Sequence, residues 1–145
     1  MNKNEFQKFH LTIKALIIKD NQLLVMTDPD LPCEVCCPGG RVDVGEKIED
    51  VLYRELREEI GIDMETIEHT KELYAYNQRT IEDYDWDKET EILELYFKIN
   101  LKALPDIQLS EERDSFMWID KNSDLEAFQY RNETQNGIIK NILST

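Results

Sequence analysis

The chain has 145 residues, 41% of them apolar and 33% charged, a length and composition that suit one globular domain over residues 1–145. Its 17 Lys and Arg against 31 Asp and Glu give a formal charge of −14, which argues against binding to nucleic acid or to a membrane surface. Apolar runs far shorter than a membrane span, the lack of a secretory leader pattern and an odd count of three cysteines indicate a reduced, cytoplasmic protein.

The first predicted elements form a β-hairpin. Apolar stretches rich in β-branched residues cover 11–18 and 22–26, and the polar residues 19–21 between them are typical of a tight turn. The next segment, 28–45, carries three prolines and three glycines. This punctuation predicts a loop rather than a helix or a long strand.

A helix is predicted from Glu46 onward. Its apolar residues Ile48, Leu52, Leu56 and Ile60 recur every four positions, and Gly61 is a typical residue just beyond a helix C-terminus. Further along, the pattern predicts strands at 72–77, 91–99 and 115–119, a polar loop over 82–90 and a last helix over 134–143, which contains a glycine. Strands on both sides of one strong helix indicate an α/β or α+β domain with a mixed sheet.

Three glutamates lie on one face of the predicted helix, since Glu55, Glu58 and Glu59 are spaced i, i+3, i+4. Like charges at these spacings cost about 0.2–0.5 kcal/mol per pair, a cost that a bound cation removes. Carboxylate oxygens favour hard divalent ions such as Mg²⁺ or Mn²⁺. Taken alone, however, three such glutamates in an acidic chain are better explained as a solvated helix face.

The sequence around these glutamates forms a longer motif. From Gly40 to Ile62 it reads GRVDVGEKIEDVLYRELREEIGI, which is Gly, five residues, Glu, seven residues, then Arg-Glu-apolar-x-Glu-Glu-x-Gly-apolar. With the amino-acid composition of this chain, its seven fixed letters would coincide by chance with a probability on the order of 10⁻⁸ per start position. The motif is the Nudix box, and the chain resembles the Nudix hydrolase family.

The resemblance implies an α/β/α sandwich with a mixed sheet and a divalent-metal-dependent pyrophosphohydrolase. Members cleave a nucleoside diphosphate linked to another moiety, so the implied partner is a small-molecule nucleotide or other diphosphate, with Mg²⁺ or Mn²⁺ as cofactor. Carried over from the family, the metal ligands are Glu58, Glu59, the carbonyl of Gly39 and Glu55, which is either a ligand or the base that activates water. The resemblance also implies that Arg54 is a catalytic residue. Arg54 and Glu46 would not contact the metal themselves but would hold its glutamate ligands in position.

Many relatives supply one more carboxylate from beyond the box, shortly before a strand that contains Trp. The matching strand here contains Trp118, but Ser115 stands where a Glu is expected. The remaining candidates for this distal carboxylate are Glu111, Glu112 and Glu94. Each of them is also explained as a solvated surface residue.

Aromatic residues after the box could stack on a nucleobase. Tyr74 and Tyr76 alternate as strand residues do, so core packing explains them as well, whereas Trp86, which follows Tyr84, is flanked by two aspartates. Tyr76 and Trp86 are therefore the candidates for base stacking. Some ADP-ribose-cleaving relatives carry a proline near position 76, and the tyrosine there disfavours that subgroup.

The three cysteines, Cys33, Cys36 and Cys37, precede the box. No second ligand pair accompanies them, so we predict ordinary reduced thiols rather than a soft-metal site. Two alternative functions remain on the same fold. One is a prenyl-diphosphate isomerase that uses Cys36 or Cys37, and the other is a catalytically silent nucleotide sensor.

Overall fold

A computed structural model of the chain describes residues 5–28, 31–80, 89–111, 115–127, 129–130 and 133–145. The strands within these ranges are β1 (Lys8–Lys19), β2 (Gln22–Asp28), β3 (Leu31–Cys36), β4 (Gly39–Arg41), β5 (His69–Arg79), β6 (Thr90–Leu101), β7 (Ser115–Ile119) and β8 (Gln129–Tyr130). The helices are α1 (Ile48–Ile60) and α2 (Glu133–Leu143), and a 3₁₀ turn covers Leu125–Ala127. None of the described helices is both long enough and apolar enough to span a bilayer.

The strands form one mixed sheet in the order β5-β6-β1-β2-β3-β8, with β4 also paired to β1 and β7 also paired to β2. The pairs β1–β6 and β3–β8 are parallel, while the other pairs are antiparallel. The mixed sheet predicted from the order of strands and helices is therefore confirmed.

The predicted hairpin is confirmed as β1 and β2, which pair through Ile18 and Leu23. Asp20 and Asn21 at its tip have φ values of 53° and 63°. Aspartate and asparagine tolerate this left-handed region better than other side chains, because their short polar groups can bond to the nearby backbone.

The loop prediction for 28–45 is incomplete, because this segment contains the short strands β3 and β4. In β4, Gly39 and Gly40 pair with Lys14 and Ile13 of β1. Two glycines give no alternation of apolar and polar side chains, so the sequence does not reveal this strand. The pairing of β4 with β1 depends on backbone groups alone.

Helix α1 confirms the prediction from the four-residue apolar spacing. It ends at Gly61, whose φ of 69° is left-handed and whose N–H donates to the Arg57 carbonyl. The buried face of the helix consists of Val51, Leu52, Leu56, Glu59 and Ile60. The one charged residue of this set, Glu59, is a member of the acidic motif.

The sheet has a core on each face. On the α1 face, Ile13, Ala15 and Ile17 of β1 pack with the apolar residues of α1. On the opposite, α2 face, Leu16 of β1 packs with Tyr96 of β6 and with Ile139, Ile142 and Leu143 of α2. Odd and even positions of β1 thus face different helices, which gives the α/β/α sandwich.

The later predicted elements are confirmed with extended ends. Strands predicted at 72–77 and 91–99 lie inside β5 and β6, and the strand at 115–119 is β7. The helix predicted over 134–143 is α2, with Gly137 in open space on its surface. Of the loop predicted over 82–90, residues 82–88 lie outside the described residues, and Thr90 already belongs to β6.

Candidate active site

The three glutamates of α1 lie at the border between core and solvent. The helical spacing predicts this location, because it places the glutamates beside the apolar stripe of the helix. Glu59 is only 7% exposed. The side chain of Glu55 is 15% exposed and that of Glu58 is 59% exposed. The α1 helix thus presents one carboxylate to solvent and holds two close to the sheet.

The two glycines of β4 lie directly against the buried carboxylates. The backbone N–H of Gly39 donates to Oε2 of Glu59 over 3.2 Å. A Cβ added to Gly40 would lie 2.8 Å from Cγ of Glu55 and closer still to its carboxyl carbon and Oε1. A side chain at position 40 would therefore displace Glu55, which is why glycine is needed there.

Arg54 connects the glutamates of this site to Glu46. Its Nε and Nη2 donate to the two carboxylate oxygens of Glu46 over 3.1 and 3.0 Å, which makes a bidentate pair. Its Nη1 donates to Oε1 of Glu55 over 3.0 Å and to Oε2 of Glu58 over 3.5 Å. One guanidinium thus holds the carboxylates of three residues, and the bidentate pair forms with Glu46 rather than with a predicted metal ligand.

The electrostatics of the site show an excess of negative charge around Glu55. Burial raises the pKa of Glu55, the negative charge of Glu59 raises it further, and Arg54 only partly opposes the two effects. By contrast, a backbone hydrogen bond from Asp43 and the contact with Arg54 lower the pKa of Glu46. The surroundings of Glu46 therefore favour its ionised form, whereas those of Glu55 disfavour its ionised form despite the bond with Arg54.

The donor set suits a hard divalent cation, because it consists of carboxylate and backbone oxygens and contains more glutamates than the single Arg54 can neutralise. In the described part of the chain, no three His, Cys, Asp or Glu side chains lie close enough together to hold a metal ion. Binding of a cation by Glu55, Glu58 and Glu59 would therefore require these carboxylates to move closer together.

The candidates for a distal carboxylate lie in different places. The N–H of Ser110 donates to the carbonyl of Glu59 over 3.0 Å, which places the exposed Glu111 beside the end of α1. Glu112 lies outside the described residues.

Glu94 is buried on β6, so the solvated-surface interpretation is wrong for this residue. Its neighbours Leu95 and Tyr96 pack with α1 and α2 respectively, and the alternation of a strand places Glu94 with Tyr96 on the α2 face. Oε1 of Glu94 accepts a hydrogen bond from Asn77 over 3.0 Å and lies 3.4 Å from Nε of Arg79. The sheet therefore separates Glu94 from the glutamates of α1.

The two tyrosines of β5 have different surroundings. Tyr76 is 70% exposed, so core packing is wrong for this residue, and base stacking stays a prediction. Tyr74 packs against the α2-face core and accepts a hydrogen bond from Asn141 over 2.8 Å. The register of β5 against β6 shifts at residues 73–75, which breaks the simple alternation of the sequence. Tyr84 and Trp86 lie outside the described residues.

The cysteines are free thiols where their side chains are described. Cys36 and Cys37 are both buried. Burial raises the pKa of Cys37 to about 12, against the opposing effect of Lys14. A thiol that stays protonated at neutral pH is a poor nucleophile, which disfavours a nucleophilic role for Cys37. The free, buried state of Cys36 and Cys37 agrees with the prediction of ordinary thiols. The side chain of Cys33, in β3, is outside the described part of the chain.

Sequence reasoning missed two features beside the site. One is the segment 107–110, whose backbone closes the end of α1 through Gln108 and Ser110. The other is Lys14, which is buried on β1 next to Gly39. The available signal for Lys14 was a single charged residue inside the apolar run LTIKALII.

Comparison with known proteins assigns the chain to a family. The sequence profile of the NUDIX domain matches residues 8–135. The nucleoside triphosphatase NudI of Escherichia coli O81 (strain ED1a) is 34% identical over 89 residues, or 61% of this chain. An ADP-ribose pyrophosphatase of Methanocaldococcus jannaschii is 31% identical over 70 residues, which cover 43% of this chain and 41% of the relative. The matched part spans 62% of the length of NudI, so less than two thirds of that relative is compared.

Solved structures show the same fold. The Escherichia coli dihydroneopterin triphosphate pyrophosphohydrolase superposes with a TM-score of 0.73 at 19% identity, over 92% of this chain and 94% of that protein. A MutT protein from Bacillus halodurans superposes with a TM-score of 0.72 at 23% identity, over 94% of this chain and 83% of that protein. With the profile match over most of its length, the chain belongs to the NUDIX family.

Proposed function

We propose that the chain hydrolyses a phosphoric anhydride bond in a nucleoside diphosphate derivative, with Mg²⁺ or Mn²⁺ held by Glu55, Glu58 and Glu59. The observation that carries the proposal is the group of glutamates on α1 at the core border, where Glu55 and Glu59 lie directly against the β4 glycines and where burial and the charge of Glu59 both raise the pKa of Glu55. The names of the similar proteins, a nucleoside triphosphatase and an ADP-ribose pyrophosphatase, support this reaction class. The proposal treats residues 1–145 as a single catalytic domain.

In the proposed reaction, a water oxygen attacks one phosphorus, the bond from that phosphorus to the bridging oxygen breaks, and the leaving phosphate carries the bridging oxygen away. Bound Mg²⁺ or Mn²⁺ supplies positive charge that allows an anionic diphosphate to dock on an acidic chain and that stabilises the leaving phosphate. Glu55 accepts the proton of the attacking water, since its raised pKa makes it a better base than an ordinary carboxylate.

The neighbouring residues position these groups. Arg54 fixes the rotamer of Glu55 through Nη1 while its other nitrogens are anchored on Glu46. The Gly39 N–H donates to Oε2 of Glu59, which holds the Glu59 carboxylate close to the Gly39 backbone, and Glu59 and the Gly39 carbonyl are both candidate ligands. Of the two described candidates for the distal carboxylate, Glu111 is the candidate that we favour, because it follows Ser110, whose N–H donates to the carbonyl of Glu59 at the end of α1.

The test is a turnover screen with and without Mg²⁺ over nucleoside triphosphates, oxidised nucleotides, nucleotide sugars, ADP-ribose and dinucleoside polyphosphates. We expect one class to be hydrolysed with Mg²⁺ or Mn²⁺ and turnover to stop when EDTA removes the metal. Full turnover in an EDTA-stripped sample would refute the metal assignment.

The same screen separates the alternative functions. A sensor would bind a nucleotide with metal present but release no product. A prenyl-diphosphate isomerase would rearrange its substrate without releasing a phosphate-bearing fragment. Glu55→Gln is the matched variant, because it keeps the side-chain shape and should abolish hydrolysis without abolishing the fold.

A further inference from the structure

The segment 107–110 lies against the C-terminal end of α1. The last carbonyls of a helix have no partner within the helix, and two of those in α1 are bonded by this segment. The N–H of Gln108 donates to the carbonyl of Ile60 over 2.9 Å, and the N–H of Ser110 donates to the carbonyl of Glu59 over 3.0 Å. The second bond ties the segment to the backbone of a proposed metal ligand.

The side chains of the same segment place it on the α1 face of the sheet. Ile107 and Leu109 are partly buried and pack against the α1-face core. A Cβ added to Gly61 would lie 3.0 Å from Cβ of Gln108, so the segment passes close to the end of the helix. Ser110 is therefore on the same side of the sheet as the glutamates of α1.

The hydroxyl of Ser110 is the unusual group of this segment. Its oxygen is buried, and within the described residues it has no hydrogen-bond partner. A buried hydroxyl without a hydrogen bond costs free energy, and an alanine at this position would remove that cost. The presence of serine therefore indicates a partner that the fold alone does not supply.

The glutamates of α1 can supply such a partner. Binding of a cation requires the carboxylates of Glu55, Glu58 and Glu59 to move closer together. The Glu59 carboxylate accepts a hydrogen bond from the N–H of Gly39, and an ionised carboxylate can accept about four such bonds. The Ser110 hydroxyl has a hydrogen to donate, and it belongs to the residue that already bonds the Glu59 backbone.

We propose that Ser110 is a positioning residue of the candidate metal site. Its hydroxyl donates to the carboxylate of Glu59 when a divalent cation draws the glutamates together, and its N–H holds the end of α1 in place for that contact. The new hydrogen bond fixes the orientation of a ligand carboxylate, while Ser110 itself contacts neither metal nor substrate. The inference rests on the proposed function only for the presence of the cation.

The test measures Mn²⁺ binding to the metal-free protein by calorimetry. Loss of a group that orients a metal ligand weakens affinity by about 10- to 100-fold, so we expect at least a tenfold rise in Kd for Ser110→Ala. Ser110→Thr keeps the hydroxyl and should bind Mn²⁺ within about threefold of the wild type. Gln108→Ala is the matched control, because Gln108 is an exposed residue of the same segment and keeps its backbone bond to Ile60. Its Kd should equal that of the wild type.

The melting temperature separates this role from a merely structural one. Because the hydroxyl has no partner within the described part of the fold, metal-free Ser110→Ala should melt at or above the temperature of the wild type. The same concentration of Mn²⁺ should then raise the melting temperature of the wild type more than that of the variant. A structural hydroxyl would give the reverse, a lower melting temperature without metal and an unchanged Mn²⁺ affinity.

The outcomes distinguish this inference from the proposed function. If Ser110→Ala binds Mn²⁺ at least tenfold more weakly but the wild type hydrolyses no diphosphate, the Ser110 inference stands and the hydrolase proposal fails. If a diphosphate is hydrolysed while Ser110→Ala binds Mn²⁺ as tightly as the wild type, the Ser110 inference is overturned. It is also overturned if the wild type binds no Mn²⁺, if metal-free Ser110→Ala melts below the wild type, or if Ser110→Thr loses as much affinity as Ser110→Ala.

Discussion

Replacing Gly40 by alanine tests the geometry of the site without changing any charge. The new Cβ would lie 2.8 Å from Cγ of Glu55 and closer to its carboxyl group. Since carbon atoms pack at about 3.5–4.0 Å, the carboxyl end of Glu55 would have to move by roughly 1 Å. The movement is confined to the end of a flexible side chain, so the fold should lose no more than the roughly 0.5–1.5 kcal/mol of a strained rotamer.

Catalysis should respond far more strongly than stability. A displacement of about 1 Å in a catalytic group can reduce the rate by about 10²-fold. We therefore expect Gly40→Ala to reduce kcat on the best substrate by about two orders of magnitude, measured by steady-state kinetics with saturating Mg²⁺. The melting temperature of the metal-free protein should stay within a few degrees of the wild type.

Gly137→Ala is the matched control, since a Cβ at Gly137 meets no atom within 4 Å and the residue lies inside α2. This variant should gain about 1 kcal/mol of stability through helix propensity and keep full activity. If Gly40→Ala retained turnover within about threefold of the wild type, less than about 0.7 kcal/mol in barrier, the close contact with Glu55 would be unimportant for catalysis.

Three further predictions concern charge, thiols and pH. Glu59→Gln keeps the acceptor for the Gly39 N–H but removes a charge, so turnover should fall by about two to four powers of ten with little loss of stability. Leu56→Ala should instead cost about 2–5 kcal/mol of unfolding free energy, measured by urea titration. Near wild-type turnover in Glu59→Gln would contradict the assignment of Glu59 to the active site. Joint replacement of Cys36 and Cys37 by alanine should leave kcat/KM within about tenfold, and total loss with an intact fold would revive a thiol mechanism. Because the pKa of Glu55 is raised in the fold, its contribution to stability is present below the ordinary value of 4.5 and is lost as pH rises through the folded pKa. Metal-free wild type should therefore lose stability relative to Glu55→Gln across that window, and a constant difference would refute the pKa assignment.

The elements that sequence predicted best are those with a strong side-chain period. From the apolar spacing and from Gly61, which is typical of a position just beyond a helix, the predicted start of α1 lies within two residues of the observed start. The position of the glutamates at the core border follows from the same period, because a helix fixes the angle between its stripes. Local chemistry therefore specified both the helix and the face that carries its carboxylates.

The features that sequence could not predict depend on contacts between distant segments. The bidentate pair of Arg54 with Glu46 joins the helix to the preceding turn. By spacing, Asp50 and Glu58, four positions before and after Arg54, were equally good partners. The burial of Glu94 requires Arg79 and Asn77 from the neighbouring strand β5. A carboxylate in a strand is exposed by default, and only the pairing of β5 with β6 supplies the groups that satisfy it.

Lys14 illustrates how strand register determines which face of the sheet a charged residue lies on and which residues it lies beside. In the sequence it only interrupts an apolar run, and a lysine at that point is compatible with an exposed position on one side of the strand. In the sheet, the pairing of β1 with both β4 and β6 places it between Gly39 and Tyr96. A shift of one residue in that register would turn Lys14 toward α1 and bring Ile13 to the α2 face, which would bury an unpaired charge among the apolar residues of the helix. The same register that buries the β1 core therefore brings the lysine to the glycine that Glu59 contacts.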